Sequence, residues 1–400
     1  MIPPARLFLE ERQGASNRTP RQINRSLVLN QIRTRQPISR ADLARTSGLQ
    51  RSTISTIVEG LLAEGWVVES SVGQSPRGRK PTHLVVSTKK VVVAVDVHPA
   101  RTTVALADMS GNISSLRHFA LPGDASKVIP SIVAAIRKLI ADHSGSSFQG
   151  IGINLPGRFN RRLEKAVFAP NVGWPIAQIK LQVERAIGLQ VVVENVANAC
   201  ALSEVWFGYN DANRDLVVIN VSEGIGTGIF ANGRLLRGNG EAAGEFGHVQ
   251  VDPNGRQCGC GGRGCWETVA SNSSALRYYQ EMSKSQAPSF DDLITLAERD
   301  DPSAIAAIEK MCRELGRGMH MIVSALAPSE IVVVGELTRL WPLASKVINE
   351  ELEKFPLIGI PAIRVPTDPE RARLRSAVAL VMTEGQTAIR KSVRKAMAAK

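Results

Sequence analysis

The distribution of apolar positions divides the chain into two regions of different texture. Within residues 20–90, apolar residues recur at helical spacing, at positions 23, 27, 28 and 32 and again at 54, 57, 58, 61 and 62. From residue 91 onward, short unbroken apolar runs alternate with amphipathic stretches. That alternation is typical of buried strands covered by helices. The pattern therefore predicts a small helical unit followed by a larger α/β body.

The helical unit carries clear start and stop signals. The first helix is predicted over Ile23–Ile32, and Pro37 stops it. Ser39 and Asp42 form a capping box, with Ser39 as N-cap, at the start of a short second helix. Gly48 then supplies a turn. This succession predicts two short helices joined by a glycine turn.

A third amphipathic helix is predicted over Gln50–Ala63, ending before Gly65. Its apolar face suits docking onto the preceding helices, and its opposite face is polar. Such a face fits the major groove of DNA. The candidate DNA-binding residues on it are Gln50, Arg51, Ser52, Thr53, Ser55 and Thr56.

A basic loop follows between two predicted strands, Trp66–Val68 and His83–Val86. The loop carries Arg77, Arg79 and Lys80 among glycine and proline residues. Cationic side chains on such a loop suit phosphates or a narrow minor groove. An amphipathic helix alone is more often core packing. A helix, a glycine turn, a second helix and a basic wing in this order favour a winged helix-turn-helix.

The body shows a coarse internal repeat. A strand with a hairpin partner is predicted near residues 91–108 and again near 216–236, where Asn232 and Gly233 form the turn. Further strands are predicted at Gly150–Leu155, Val191–Val193 and Ile331–Val334, with helices over Ser126–His143 and Ala197–Phe207. The repeat predicts two α/β lobes with a cleft between them.

Charge changes this picture because it is concentrated at one end. The 400 residues carry a net charge of +12. Residues 1–90 hold 15 Lys/Arg against 6 Asp/Glu, and residues 91–400 hold 34 against 31. A basic solvated face is the plain explanation, but the helical pattern favours a polyanionic partner. No apolar run is long enough for a membrane helix and no secretory signal is recognisable, so we expect a cytoplasmic protein.

The cysteines point to a metal rather than to disulfides. Five cysteines are too few, and of the wrong parity, for a disulfide scaffold. Cys258, Cys260 and Cys265 have the spacing C-x-C-x4-C, and His248 precedes them by ten residues. Three thiolates and an imidazole complete a tetrahedral zinc site, which would be structural because no position stays open. The alternative is three reduced surface cysteines. The other two, Cys200 and Cys312, are expected to pack in the interior.

The segments Gly244–His248 and Cys258–Thr268 closely resemble motifs of the ROK family of repressors and sugar kinases. The resemblance spans about residues 20–385 and is to the repressor form. It implies a winged helix-turn-helix followed by a duplicated actin-like, sugar-kinase-like (ribonuclease H-like) α/β body with a structural zinc loop at 244–268. The expected division is a basic arm at 1–20, a DNA-binding domain at 21–88, lobes at 89–205 and 206–385, and a basic tail at 386–400.

The resemblance also implies a sugar site in the cleft. The family's sugar ligands come from a Pro-Gly-Arg loop, an Asn, the E-x-G-H motif and the Glu after the third cysteine. Carboxylates and amides suit paired sugar hydroxyls. The matching positions here, with a further asparagine expected in the cleft, are Gly157, Arg158, Asn171, Asn195, Glu245, His248 and Glu267.

Three departures from the family's kinase pattern argue against phosphoryl transfer. The first phosphate loop of the kinases has two glycines, whereas this chain has His98 and Pro99 there. The position of the catalytic base is Val196, which accepts no proton. A later Gly-Gly is replaced by Gly335 and Glu336. The remaining glycine loop, Gly224–Gly228, is weak evidence for a nucleotide.

The sequence therefore predicts a sugar-responsive transcriptional regulator, most simply a repressor of carbohydrate genes, that is no enzyme. It would bind a palindromic operator as a homodimer or homotetramer. The alternatives are an active ATP-dependent sugar kinase with an appended DNA-binding domain, a ligand-independent regulator with a vestigial cleft, and a zinc-responsive regulator. The basic stretch Arg390–Lys400 is expected to be a solvated helix end rather than a DNA contact.

Overall fold

The computed structural model describes residues 18–72, 82–98, 101–160, 163–168, 177–208, 215–354 and 359–384. The predicted wing residues Arg77, Arg79 and Lys80, and also Asn171, lie outside the described residues. The N-terminal unit has three helices and a small antiparallel sheet in the order β1-β3-β2. Its elements are α1 (Arg18–Arg35), β1 (Ile38–Ser39), α2 (Arg40–Ser47), α3 (Arg51–Ala63), β2 (Val67–Val72) and β3 (Thr82–Val86).

The local signals in this unit act as predicted, with one difference in extent. Ser39 caps α2 through a complete capping box with Asp42, and Gly48 ends α2 in the left-handed conformation at φ 71°. Helix α1 is longer than predicted at both ends. The added residues Arg33, Thr34 and Arg35 are polar, so apolar spacing alone did not reveal them.

The first lobe is a mixed five-stranded sheet in the order β10-β7-β4-β5-β6. Helix α6 leads from its last strand to the second lobe. The strands are β4 (Lys90–Asp96), β5 (Thr102–Asp108), β6 (Ile113–Phe119), β7 (Ser147–Leu155) and β10 (Val191–Asn195), beside a small hairpin of β8 (Arg158–Asn160) and β9 (Lys165–Phe168). The helices are α4 (Ala125–Asp142), α5 (Ile179–Ile187) and α6 (Val196–Phe207).

The second lobe is a mixed sheet in the order β13-β12-β11-β14-β15, with a long helical segment inserted before β14. The strands are β11 (Leu216–Val221), β12 (Ile225–Ala231), β13 (Arg234–Leu235), β14 (Glu330–Gly335) and β15 (Ala362–Arg364). The helices are α7 (Glu267–Ala270), α8 (Asn272–Ser283), α9 (Phe290–Glu298), α10 (Pro302–Leu326), α11 (Trp341–Leu352) and α12, described over 372–384.

The two sheets repeat one topology, which confirms the predicted duplication of the α/β body. In each lobe the first strand pairs antiparallel with the next, which continues into a third. On its other side the first strand pairs in parallel with a later strand, which is followed by a second parallel strand. The parallel strands require helical crossovers, so helices cover the sheets and the strands are almost continuously apolar.

The N-terminal unit shares its hydrophobic core with the body. Ile32 of α1, Ile54 of α3 and Leu84 of β3 belong to one buried cluster with Ala94 of the first sheet and Ala377 of α12. A shared core restrains the motion of the unit relative to the sheet more than a flexible linker would. Among the described residues, no helix is both long and apolar enough to cross a membrane.

Candidate functional site

Three cysteines and a histidine converge in the loop between β13 and α7. The candidate ligand atoms of His248, Cys258, Cys260 and Cys265 all lie within 4.8 Å of one another. The Sγ atoms of Cys260 and Cys265 are 3.7 Å apart, and Cys258 Sγ lies 3.6 Å from His248 Nδ1. All five cysteines of the chain are free thiols. Convergent soft donors of this kind suit a metal ion.

The loop is anchored to the second lobe by Trp266, which follows the last cysteine. Its indole is fully buried, and its Nε1 donates to the carbonyl of Glu314 on α10 at 2.9 Å. Gly264 has φ 63°, and a Cβ there would lie 1.5 Å from the Asp252 carbonyl oxygen. Only glycine therefore permits this close approach of two loop strands.

Two of the predicted sugar-binding carboxylates meet at His248. The imidazole lies between them, with Nδ1 3.6 Å from Glu267 Oε1 and Nε2 3.7 Å from Glu245 Oε2. Glu267 is buried, and its Oε1 accepts a hydrogen bond from the Cys258 thiol at 3.0 Å. The Glu245 side chain, in contrast, is 40% exposed. Burial raises the pKa of the Glu245 carboxyl, although the charges of His248 and Arg158 act in the opposite direction. A metal-held imidazole would thus fix the position of an accessible carboxylate.

Gly157 and Asn195 form a second group of predicted sugar-site residues. Asn195 Nδ2 donates to the Gly157 carbonyl at 2.7 Å, while its Oδ1 caps α6 by accepting from Ala197 N at 2.8 Å. Asn195 therefore already has two structural partners, which sequence reasoning did not anticipate. Burial raises the pKa of the Glu245 carboxyl, and the charge of Arg158, next in the same loop, partly offsets that rise. This electrostatic interaction is one between the two groups of predicted sugar-site residues.

The position of the kinase base is a core position here. Val196 is only 4% exposed and packs in a buried cluster with Val192 and Cys200. Nearby, a Cβ on Gly228 would lie 2.2 Å from the Ala197 carbonyl oxygen. The remaining glycine loop is thus required for the close approach of β12 to α6, whether or not it meets a phosphate.

The other kinase-motif positions are joined in an ion-pair network. His98 Nε2 lies 3.1 Å from Glu223 and 3.8 Å from Glu336, which reach it from the turns after β11 and β14. The buried Arg373 of α12 contacts Asp96 at 3.0 Å and Glu336 at 3.8 Å. Burial alone would lower the pKa of Arg373, but the charges of Asp96 and Glu336 outweigh burial and raise it. Two carboxylates of the second lobe, those of Glu223 and Glu336, therefore contact His98, in the loop where the resemblance implies nucleotide phosphates.

Helix α3 presents the predicted polar face to solvent. Gln50, Arg51, Ser52 and Thr56 are exposed, and Thr53 and Ser55 are partly exposed. The opposite face is buried, with Ile54, Ile57, Val58 and Leu61 in the core. The first backbone N–H groups of α3 point out of this end, as at any helix N-terminus, and Gln50 makes no side-chain cap hydrogen bond to them. The chemistry of this surface is suited to contacts with phosphates and with the polar edges of bases.

Together, the duplicated lobes and the Cys/His loop define the class of protein. Residues 92–381 match the model of the ROK family, and the chain belongs to that family. It is 32% identical over 345 residues to the xylose repressor of Bacillus spizizenii, covering 85% of this chain and 89% of that protein. It is 30% identical to a glucokinase of Streptomyces coelicolor, covering 67% of this chain and 89% of the kinase.

A solved structure extends the likeness to the N-terminal unit. The crystal structure of a ROK family transcriptional regulator, a homologue of the Escherichia coli MLC protein, covers 94% of this chain and 99% of its own. The TM-score is 0.75 at 23% identity, which shows a shared fold. The glucokinase match leaves a third of this chain uncovered, in keeping with an additional unit outside the kinase-like body.

Sequence reasoning missed two features of the site. Arg373 gave no motif signal, although His98 and Glu336 were already conspicuous as replacements of glycines. The contact between α1 and the end of α6 was also missed, because it joins residues far apart in the chain. Neither position was among the expected functional residues.

Proposed function

We propose that the protein is a sugar-responsive, DNA-binding transcriptional repressor of carbohydrate genes. The observation that carries the proposal is the exposed polar face of α3, on a helical unit that is added to a ROK body. The alignment with the xylose repressor of Bacillus spizizenii covers 85% of this chain and so extends beyond the ROK match at residues 92–381. We take D-xylose as the first candidate effector and a palindromic operator bound by a homodimer or homotetramer as the DNA partner.

The proposed domain organisation follows the sequence boundaries. A basic arm at 1–20 leads into the winged helix-turn-helix at 21–88, followed by lobes at 89–205 and 206–385 and a basic tail at 386–400. In this scheme Gln50, Arg51, Ser52, Thr53, Ser55 and Thr56 enter the major groove, and Arg77, Arg79 and Lys80 contact the backbone or the minor groove.

The metal in the loop is proposed to be structural zinc. Bonds of about 2.3 Å to sulfur and about 2.0 Å to nitrogen place tetrahedral ligands about 3.5–3.8 Å apart. The observed separations of 3.7 Å between two sulfurs and 3.6 Å between sulfur and nitrogen agree with that geometry. Four protein ligands leave no open position for catalysis. Bound zinc would hold the His248 ring, and with it the wall that carries Glu245 and Glu267.

The sugar site is proposed at Gly157, Arg158, Asn171, Asn195, Glu245, His248 and Glu267. Glu245 is the accessible charged acceptor of this set, and its carboxylate suits a pair of sugar hydroxyls.

Phosphoryl transfer is not proposed. The buried Val196 occupies the position of the base, and the carboxylates of Glu223 and Glu336 contact His98 in the first phosphate loop, where they would repel the phosphates of ATP. Two independent obstacles separate this chain from a kinase. A coupled assay with ATP and a hexose panel is expected to give no turnover.

The experiment that tests the proposal measures fluorescence anisotropy of DNA from upstream of the protein's own gene. The full chain is titrated with and without D-xylose, then with other sugars and sugar phosphates. Tight binding that one sugar weakens at least about tenfold supports the proposal. Absence of DNA binding at low salt contradicts it, and binding that no sugar alters contradicts its sugar-responsive part.

A matched pair of variants locates the DNA surface. Arg51→Ala is expected to weaken operator binding about tenfold, as the loss of one base or phosphate contact does. Arg299→Ala removes the same charge from an exposed position of the second lobe and should change binding less than about twofold. Equal effects of the two would contradict recognition by α3.

A further inference from the structure

Besides its apolar contacts in the shared core, helix α1 contacts the body through one buried arginine. Arg33 is 9% exposed, and its guanidinium carbon lies 5.2 Å from the ring centroids of both Trp206 and Phe207. Its Nη2 donates to Asn30 Oδ1 at 2.7 Å. The two aromatic residues form the C-terminal end of α6, so α1 contacts the helix that links the two lobes.

The charge of Arg33 is held by ring faces rather than by a carboxylate. Within the described ranges, no acidic side chain lies at ion-pair distance from it, and its Nε has no hydrogen-bond acceptor. A second cation, Arg375 of α12, stacks on the same Phe207 ring at 5.2 Å. Burial, and then the charge of Arg375, lower the pKa of Arg33 to about 10. Stability of this contact therefore depends on where the two rings lie.

The opposite end of α6 lies at the predicted sugar site. Asn195 is the N-cap of α6 and hydrogen-bonds the Gly157 loop of the first lobe. The first turn also packs closely on β12 of the second lobe, at Ala197 and Gly228. The 12 residues of α6 span about 18 Å of continuously hydrogen-bonded helix. If α6 shifts as one body at its first turn, its last turn is displaced with it.

We propose that Arg33 is a positioning residue that couples the sugar cleft to the DNA-binding unit through α6. Movement of the Asn195 end displaces Trp206 and Phe207, which weakens the hold on Arg33 and changes the orientation of α1. This inference rests on the proposed function for its biological meaning. The mechanical coupling between the two ends of α6 stands on the contacts alone.

The coupling is tested first in the full chain without DNA or sugar, by hydrogen exchange. Asn195→Asp keeps an acceptor at the N-cap but removes the amide donor to the Gly157 carbonyl. We expect it to raise exchange in residues 27–35 at least about fivefold, with α10 as the reference segment. In an Arg33→Met background the same substitution should raise exchange there less than about twofold. Arg35→Met, at an exposed position of the same helix, should leave the fivefold response intact.

Two results would overturn the inference. One is unchanged exchange of residues 27–35 after Asn195→Asp. The other is an equal response with and without Arg33, which would mean that α1 responds only to general loosening. If Asn195→Asp does not fold, Phe207→Leu reverses the direction of the experiment. It should raise exchange in α1 and in the first turn of α6, and a response confined to α1 contradicts the coupling.

A second arm uses the upstream DNA and D-xylose as probes. Arg33→Met is expected to retain operator affinity within about threefold, while release by D-xylose falls below about twofold. Full release in Arg33→Met contradicts the inference. If the wild-type chain binds no DNA, or if no sugar releases the bound DNA, the proposed function fails. The exchange experiment still decides the coupling in that case.

Discussion

The two halves of the cleft use their polar side chains in different ways. On the metal-loop side, Glu245 is 40% exposed and is positioned by His248, so its carboxylate remains accessible. On the side of the loops that carry His98 and Glu336, Arg373 and Asp96 are each only 12% exposed and pair with each other. One half presents an accessible carboxylate, whereas the other pairs its charges internally.

Under the proposed function, this difference would allow a kinase-like fold to bind a sugar without a nucleotide. Glu245 and Glu267 of the proposed sugar site belong to the segment around the Cys/His loop, which Trp266 anchors to α10. In the other half, His98 and Glu336 stand where the kinase pattern has glycines, and their ion pair links strand ends of the two lobes. Side chains there connect the lobes, where a glycine loop would leave space for phosphates.

The largest expected effect comes from removing one proposed zinc ligand from the Cys/His loop, which lies in only one of the two halves. Cys260→Ser removes one ligand at a partly exposed position, so direct packing losses are small. We expect zinc content to fall from about one ion per chain to near zero, with a decrease in Tm of more than about 10 °C, because metal binding is coupled to folding of the loop. Elemental analysis and calorimetry measure both quantities.

Cys312→Ala is the matched control for that experiment. Cys312 is buried in α10, outside the cluster. The Cys312→Ala variant should therefore keep its zinc, although the substitution leaves a small cavity. Full zinc content in Cys260→Ser, or a wild-type chain without metal, would contradict a four-ligand site.

The second effect tests whether a carboxylate at the position of the kinase base is enough to give ATP-dependent phosphorylation. Val196→Asp restores a carboxylate at the position of the kinase base but places it in a buried apolar cluster. We expect a loss of about 3 kcal/mol in the free energy of unfolding, measured by urea titration, and still no ATP-dependent sugar phosphorylation. Val196→Thr, close in shape, should cost about 1 kcal/mol. Turnover in either variant would show that the ion-pair network does not exclude the nucleotide.

A third comparison exchanges one carboxylate in each half. Glu245→Gln is expected to weaken sugar binding by about 2 kcal/mol, since a charge-assisted hydrogen bond becomes neutral. Glu336→Gln, in the network, should change sugar affinity less than about threefold. Calorimetric titration with D-xylose and related sugars measures both. Equal losses would mean that the halves do not act separately.

Local rules predicted a large part of this molecule, whereas long-range contacts were inaccessible. The capping box at Ser39, the turn at Gly48 and the repeated strand-and-hairpin pattern each depend on a few neighbouring residues. The Cys/His cluster was also evident because its four members span only 18 residues.

The parts that could not be predicted join distant segments. Arg373 meets Asp96 across 277 positions, and Arg33 meets Trp206 across most of the first lobe. Spacing along a chain says nothing about such pairs without a fold in which to place them. The dual structural role of Asn195 was hidden for the same reason, since its partner Gly157 comes from another strand end.

The smallest effect is a pH dependence confined to the network half. Burial alone would raise the pKa of Glu223. The hydrogen bond and charge of His98 outweigh burial and lower this pKa to about 2, from an ordinary value of 4.5. Because this pKa is lower in the folded state, the stabilising contribution is complete above about pH 4.5 and is lost as the pH falls toward 2. Solvent screening reduces it, since the side chain is 36% exposed.

We therefore expect the wild-type chain to lose about 1 kcal/mol more unfolding free energy between pH 6 and pH 3 than Glu223→Gln does. Urea titrations at the two pH values measure the difference, with Glu353→Gln as an exposed control that should behave as wild type. An identical pH response of Glu223→Gln and wild type would mean that His98 and Glu223 do not stabilise the network. The contrast between an accessible half and an internally paired half would then rest on Arg373 alone.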